Sequence, residues 1–296
     1  MQYQQLGKSD LQISKISFGC MSLKPETPDS ELILHKAIAV GINFFDTADL
    51  YDHGANEELL GRALKVSRKK VIIATKVGNQ WRKDGSGWDW NPSKEYILSS
   101  VEKSLQRLQT DYIDLYQLHG GTINDPIDEI IEAFEKLKQQ GNIRYYGISS
   151  IRQNVIREWV KRSNLVSVMM QYSLLDRRPE EEAFPLLLEN NIGVLARGSL
   201  AQGLLIDKPA KTYLGYTEEE VLKARNALHS LSSSTRTPAQ AAIQFVLDHP
   251  AVTSAVTGIR TMDQLREAIG TFGTITAEEM ETLRKAIPIN NYTEHR

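Results

Sequence analysis

The sequence predicts an α/β fold, a closed (β/α)8 TIM barrel with an N-terminal β-hairpin and extra helices after strand seven and at the C-terminus. Three observations carry this. Short β-branched runs alternate with longer amphipathic runs from end to end, the pattern of parallel strands joined by right-handed crossovers. The strand candidates number eight, enough to close a barrel rather than leave an open sheet. Most are near-continuously apolar, as strands covered on both faces are. The 296 residues suit one barrel domain, 1–296, and no low-complexity linker divides them.

The strands are read, in order, at 16–19, 42–46, 71–76, 113–119, 144–149, 168–172, 192–197 and 253–257. Helices follow at 29–40, 57–66, 92–107, 126–140, 154–162, 179–190, 238–248 and 262–269. Gly41 and Gly141 stand where a helix end favours a left-handed glycine. Pro92 and Ser93 mark a helix start. Leu59, Leu60, Ala63 and Leu64 give the second helix one apolar face. Residues 3–13 read as a hairpin turning at Gly7-Lys8-Ser9, placed to plug the closed bottom of the barrel. Residues 208–231 add a loop and a helix, and 276–287 add another ahead of a polar tail. The stretch holding Trp81, Trp88, Trp90 and Gly85-Ser86-Gly87 reads as a loop.

Composition narrows the function classes. Lys+Arg 35 against Asp+Glu 37 leaves a net charge of -2, without a block of like charge, so no nucleic-acid partner is expected. A lone cysteine, Cys20, forms no internal disulfide. The N-terminus lacks the basic and apolar regions of a signal peptide, and no apolar run has the length of a membrane span. The expectation is a cytoplasmic protein with no membrane association. No cluster of His, Cys and carboxylates suits a metal. Gly-x-Gly-x-x-Gly does not follow the first strand, which argues against an open dinucleotide-binding sheet.

Barrel enzymes place their chemistry at the C-terminal ends of strands. Asp46 ends the second strand, with Tyr51 five residues on; Lys76 ends the third and His119 the fourth. Each alone has a bland explanation as a cap, an ion-pair partner or a core histidine. Together they make a mechanism. A phenol is a poor acid at neutral pH, and a neighbouring ammonium is expected to bring its pKa down. Asp46 would keep that ammonium charged. Tyr51 could then protonate a developing alkoxide, with His119 orienting the carbonyl or sharing the proton.

The run Phe44-Phe45-Asp46-Thr47-Ala48-Asp49-Leu50-Tyr51, then Asn56-Glu57-Glu58-Leu59-Leu60-Gly61, then Ala74-Thr75-Lys76, resembles the aldo-keto reductase family along essentially the whole chain. The resemblance implies a (β/α)8 barrel, NADPH as hydride source, aldehyde or ketone substrates, and a catalytic tetrad on Asp46, Tyr51, Lys76 and His119. It implies that Ser149 and Gln171 meet the nicotinamide amide, with Ser150 where many relatives have Asn and with Asp46, Cys20 and Met21 near the cofactor. Gly198, Leu200, Gln202 and Gly203 would offer backbone to the diphosphate. Gly258, Arg260, Gln264 and Glu267 would hold the adenosine end, and Arg260 favours NADPH over NADH. Two positions depart from the family pattern. Arg197 replaces the aromatic residue that usually stacks on the nicotinamide, and Ala268 replaces an Asn. An arginine plane can also stack on a ring, while its charge disfavours the oxidised, cationic form. Tyr51, His119 and Trp81 are expected to line the substrate pocket. Two other readings compete: a redox-sensing regulatory NADPH-binding subunit, and a lyase using Lys76 as a Schiff base.

Overall fold

The structure, a computed structural model, describes residues 1–270 and 275–296. The chain opens with an antiparallel hairpin, β1 (Tyr3–Gln5) and β2 (Gln12–Ser14). The barrel begins with β3 (Ile16–Gly19), β4 (Phe44–Asp46) and β5 (Ile72–Val77). A second hairpin follows, β6 (Asn79–Trp81) with β7 (Trp88–Trp90). The barrel continues through β8 (Ile113–Leu118), β9 (Ile143–Ser149), β10 (Ser167–Gln171), β11 (Gly193–Arg197) and β12 (Val252–Gly258). Strand β12 pairs back onto β3, so among the described residues eight parallel strands close on themselves.

The helices are α1 (Ser30–Ala39), α2 (Ala55–Leu64), α3 (Lys94–Leu108), α4 (Ile127–Gln139), α5 (Gln153–Arg162), α6 (Ala183–Glu189), α7 (Glu218–Ser230), α8 (Pro238–Asp248), α9 (Met262–Ile269) and α10 (Ala277–Lys285). Helices α7 and α10 are the additions to the repeat. Both start with a Thr and a Glu three positions on in a reciprocal capping box, Thr217 with Glu220 and Thr276 with Glu279.

Side chains alternate across a strand, and this separates two cores. Phe45, Ile73, Tyr116, Leu118, Ile148, Val168 and Met170 face the helices. Phe44, Ile72, Ala74, Leu115, Met169, Leu195 and Val256 fill the barrel interior. Leu6, Leu11 and Ile13 of the first hairpin join this inner cluster, each at most 2% exposed. Full burial of such side chains stabilises by roughly 1.5–3 kcal/mol apiece, so the hairpin is anchored as a plug. Gly7 at its turn is left-handed (φ 53°), and an added Cβ would sit 2.4 Å from the Val166 carbonyl. The inward parity that yields Phe44, Ala74, Leu115, Met169 and Leu195 below yields Asp46, Lys76, Gln117, Gln171 and Arg197 two residues higher. The barrel core and the polar mouth are one set of positions, divided by height.

Two expectations are corrected. The Trp-rich stretch after β5 is a hairpin, not a loop. Its pairing is stabilised by contacts distant in sequence: the Trp90 indole donates to both Asp125 carboxylate oxygens at 3.1 Å, and the Trp81 indole donates to the Leu50 carbonyl at 3.2 Å. The helix expected from residue 179 starts later, at Ala183. Arg178–Glu180 forms a separate short turn, where Arg177 grips both Glu180 oxygens at 2.8 and 2.7 Å.

Candidate active site

Asp46 and Lys76 arrive on adjacent strands, with Asp46 in register with Ala74. Inward parity aims both side chains into the mouth. Lys76 Nζ donates to Asp46 Oδ2 at 2.7 Å, to the Thr47 carbonyl at 2.8 Å and to the Tyr51 hydroxyl at 3.3 Å. Three acceptors saturate an ammonium. Tyr51 follows β4 at the start of a tight turn in which Asp52, His53 and Gly54 are all left-handed. Lys24 ties this turn to the loop before α1 through Asp52 at 2.6 Å. His119 comes just after β8, its ring edge-on to Tyr51 with centroids 5.9 Å apart. Trp81 stacks on His53 at 3.7 Å and so walls the same turn. The structure brings all four tetrad positions and Trp81 together.

Burial sets the charges. It pushes Asp46 up, opposed by the attraction of Lys76 and by hydrogen bonds from Lys76 and Gln117. It pulls Lys76 down, but Asp46 and then Tyr51 outweigh it, and the ammonium ends above its ordinary value. A saturated, 1% exposed ammonium is a poor amine nucleophile, which removes support from the Schiff-base reading. Tyr51 is a correction. Its pKa was expected below the ordinary value; burial lifts it above, and Lys76 offsets only part of that rise. Removing a phenolate from water costs more than one ammonium at 3.3 Å returns. The phenol therefore stays protonated until a reaction draws the proton away.

His119 is held down to about 3, by burial first and then by the positive Lys76 and Arg197. Its Nδ1 is buried without a partner among the described residues. The imidazole is thus neutral at physiological pH. Unfolded, it titrates near about 6.5. Between that value and about 3 the unfolded chain takes up a proton that the folded chain refuses, so this group lowers stability as pH falls through the window. His119→Gln should lose less stability than the parent on going from pH 7 to pH 4. Urea midpoints across that range measure it; parallel profiles for the two proteins would refute the neutral assignment.

Gln117 is a site residue that the sequence reading did not single out. It lies between Leu115 and His119 on the inward parity and donates to Asp46 Oδ1 at 3.4 Å. Alternation along β8 was the available signal. Thr47, Asn56 and Glu57 form a buried layer beneath the tetrad. Thr47 donates to Asn56 at 2.7 Å, and Thr75 donates to Glu57 at 2.6 Å. Arg107 neutralises Glu57 at 2.6 Å. These bonds explain why the polar residues of the quoted sequence run are buried rather than solvated.

Of the expected cofactor residues, Ser149, Ser150 and Arg197 face a common cavity. Gln171 accepts from the Arg197 guanidinium at 3.1 Å and donates to the Tyr213 hydroxyl at 2.9 Å. Tyr213, on the loop before α7, was also not singled out. After β11 the backbone turns left-handed at Gly198, Ala201, Gln202 and Gly203, a concave path of the kind that binds anions. The Ser199 hydroxyl there is buried without a partner among the described residues. Ser150 is buried and accepts from the Arg152 amide at 3.2 Å. Met21 is exposed, but the Cys20 thiol lies wholly in the outer core, so Cys20 can offer a ligand only backbone. Arg260 and Gly258 are exposed. Gln264 accepts from the Arg260 amide at 3.0 Å, and Glu267 accepts from the Thr237 hydroxyl at 3.0 Å. Ala268 packs into the core. Among the described residues no group of three metal-ligating side chains occurs, and no helix is long and apolar enough to cross a membrane.

A closed parallel barrel with an Asp–Lys–Tyr–His group at its C-terminal mouth defines an oxidoreductase of the barrel class. The chain belongs to the Aldo/keto reductase family, whose model matches residues 15–288. It is 51% identical over 307 aligned positions to the uncharacterized oxidoreductase YqkF of Bacillus subtilis (strain 168), covering 100% of both chains. It superimposes on the holo form of aldo-keto reductase AKR11C1 from Bacillus halodurans with a TM-score of 0.94 at 50% identity, covering 100% of this chain and 99% of that one. The glycerol dehydrogenase AKR11B4 from Gluconobacter oxydans matches with a TM-score of 0.85 at 27% identity, over 97% of each chain.

Proposed function

We propose that this protein reduces aldehyde or ketone carbonyls to alcohols with NADPH, and that Tyr51 is the proton donor. The observation that carries this reading is the chain from Asp46 through Lys76 to the Tyr51 hydroxyl, with contacts of 2.7 and 3.3 Å beside a neutral His119. When bound, the reduced nicotinamide supplies the hydride. Tyr51 gives its phenolic proton to the carbonyl oxygen, and Lys76 stabilises the phenolate left behind. His119, uncharged, orients the carbonyl by hydrogen bonding rather than by charge.

The left-handed path from Gly198 to Gly203 and the orphaned Ser199 hydroxyl fit a phosphate-bearing cofactor. Gly198, Leu200, Gln202 and Gly203 would carry the diphosphate, and Ser149, Ser150 and Gln171 the carboxamide. Arg260, beside Gly258 and the α9 N-terminus, would take the 2′-phosphate, which favours NADPH over NADH. Gln264 and Glu267 would flank the adenosine, Glu267 after releasing Thr237. The holo form of the Bacillus halodurans relative supports a bound cofactor. The test is a panel of aldehydes, ketones and quinones assayed with NADPH and NADH side by side. Steady Tyr51-dependent oxidation of NADPH supports the reading; cofactor binding without turnover on any carbonyl would favour the regulatory-subunit alternative.

Arg197 is the departure with a consequence of its own. Its guanidinium is exposed at the mouth and, among the described residues, tethered only to the neutral Gln171. Stacked on the ring, it would repel the oxidised, cationic nicotinamide and bias binding toward the reduced form. Arg197→Tyr is therefore expected to tighten NADP+ relative to NADPH by several-fold. Titration of both forms by fluorescence reads the ratio, and an unchanged ratio overturns the assignment.

A further inference from the structure

A cavity of about 340 Å³ opens at the mouth beneath the C-terminal tail, with Gly120, Ser149, Arg152, Arg178, Arg197 and Tyr292 among its walls. Three guanidinium groups face one space. Arg178 is neutralised, since its Nε and Nη2 reach the two oxygens of Asp176 at 2.7 and 2.8 Å. Arg197 is bonded to neutral Gln171. Arg152 donates to the Gly121 carbonyl, and among the described residues no carboxylate pairs with it. Glu294, on the rim, is 82% exposed, and His295 lies 3.9 Å from it. The cavity therefore keeps an excess of positive charge that the protein does not balance.

A half-buried guanidinium without a counter-charge is open to an anionic ligand. Arginine has five donors in a planar fork, so the bond to Gly121 leaves most of Arg152 available. That bond also tethers Arg152 to a carbonyl two residues beyond His119. Gly120, which carries no side chain, is all that separates His119 from Gly121 along the chain. In the reading above Ser149, Ser150 and Arg197, which also line this cavity, are committed to the nicotinamide, whereas Arg152 has no part in cofactor binding or proton transfer.

We infer that this cavity is an anion subsite, that the preferred substrates are carbonyl compounds bearing a carboxylate, and that Arg152 is the residue that selects them. The fork of an arginine matches the two oxygens of a carboxylate, and the tether to the Gly121 carbonyl holds Arg152 beside the chain segment that follows His119. The inference rests on the carbonyl-reductase reading and names the substrate class of that same site.

The experiment compares 4-oxobutanoate with its methyl ester, which share the aldehyde and differ in charge. With NADPH and the full-length protein, kcat/KM for the acid should exceed that for the ester by at least about tenfold, carried mainly by KM, as a charge-assisted bond predicts. In Arg152→Gln the ratio should fall toward one, and Arg152→Lys should restore part of it. Melting curves confirm that the variants fold. A ratio near one in the parent, or a ratio retained in Arg152→Gln, overturns the proposal. Calorimetric titration of the NADPH-loaded protein with succinate, a non-reacting dianion, gives a readout independent of turnover. Succinate binding that is lost in Arg152→Gln, with neither aldehyde reduced, supports the subsite and sinks the reductase reading. Equal turnover of acid and ester without succinate binding does the reverse. If inorganic phosphate displaces succinate and the acid–ester ratio is one, the cavity serves a free anion and the substrate assignment falls.

Discussion

Tyr51→Phe should lower kcat by roughly 10²–10⁴-fold, the usual worth of a positioned general acid, while leaving the affinity for NADPH within a small factor. The substitution removes one oxygen from a side chain whose hydroxyl, among the described residues, bonds only to Lys76, at 3.3 Å, so it takes away the donor and little of the packing. The ring remains to pack beside His119. Because burial holds the phenol above its ordinary pKa, the acid form is present throughout the neutral range. The loss should therefore be uniform across pH 6 to 9 rather than confined to one limb of the profile. Stopped-flow reduction of a single aldehyde under saturating cofactor measures it. A variant that keeps near-parental kcat would end the assignment of Tyr51 as donor.

Lys76→Met should cost both activity and stability. Lys76 is 1% exposed, and its partner Asp46 is 6% exposed at the side chain. Methionine fills most of the volume but leaves the Asp46 carboxylate without its ammonium. Breaking a buried pair from one side costs about 3–5 kcal/mol, a large part of the roughly 5–15 kcal/mol that holds a domain together. Gln117, at 3.4 Å from the other Asp46 oxygen, returns little of that as a neutral donor. The Asp46→Leu/Lys76→Met double variant should recover much of the lost stability, because no unpaired charge remains, and none of the activity. Thermal melts and single-turnover rates on the three proteins separate the two effects. If the double variant is as unstable as the single one, packing rather than charge governs this site.

These two outcomes also show where local and non-local information divide. The order of strands and helices was legible because periodicity is local. A strand covered on both faces must be apolar at both parities, and eight such runs survived every change of boundary by a residue or two. The positions of Asp46, Lys76 and His119 were legible for the same reason, since a polar residue that ends an apolar run in a barrel stands at the mouth. The alternation that separates Phe44 from Phe45 also runs from Leu115 through Gln117 to His119, so Gln117 could have been found by counting.

Other features could not be read from the chain. The β6–β7 hairpin depends on Asp125 and Leu50, which lie outside it, and its own residues resemble any polar loop with tryptophans. Glu267 turns toward Thr237 on a neighbouring helix, a choice made by packing. The protonation of the site was the largest divergence. A lysine near a tyrosine predicts a lowered phenol when only the pair is considered. Desolvation sums over every atom around the group, and here it outweighs the pair at Tyr51 and drives His119 to about 3. By itself the sequence determined the barrel, its plug and the four residues at its mouth, because these follow from pattern and spacing along the chain. Only the tertiary structure decided which of those groups carry charge and which cations at the mouth lack a counter-charge, because burial and partnership are properties of the closed barrel.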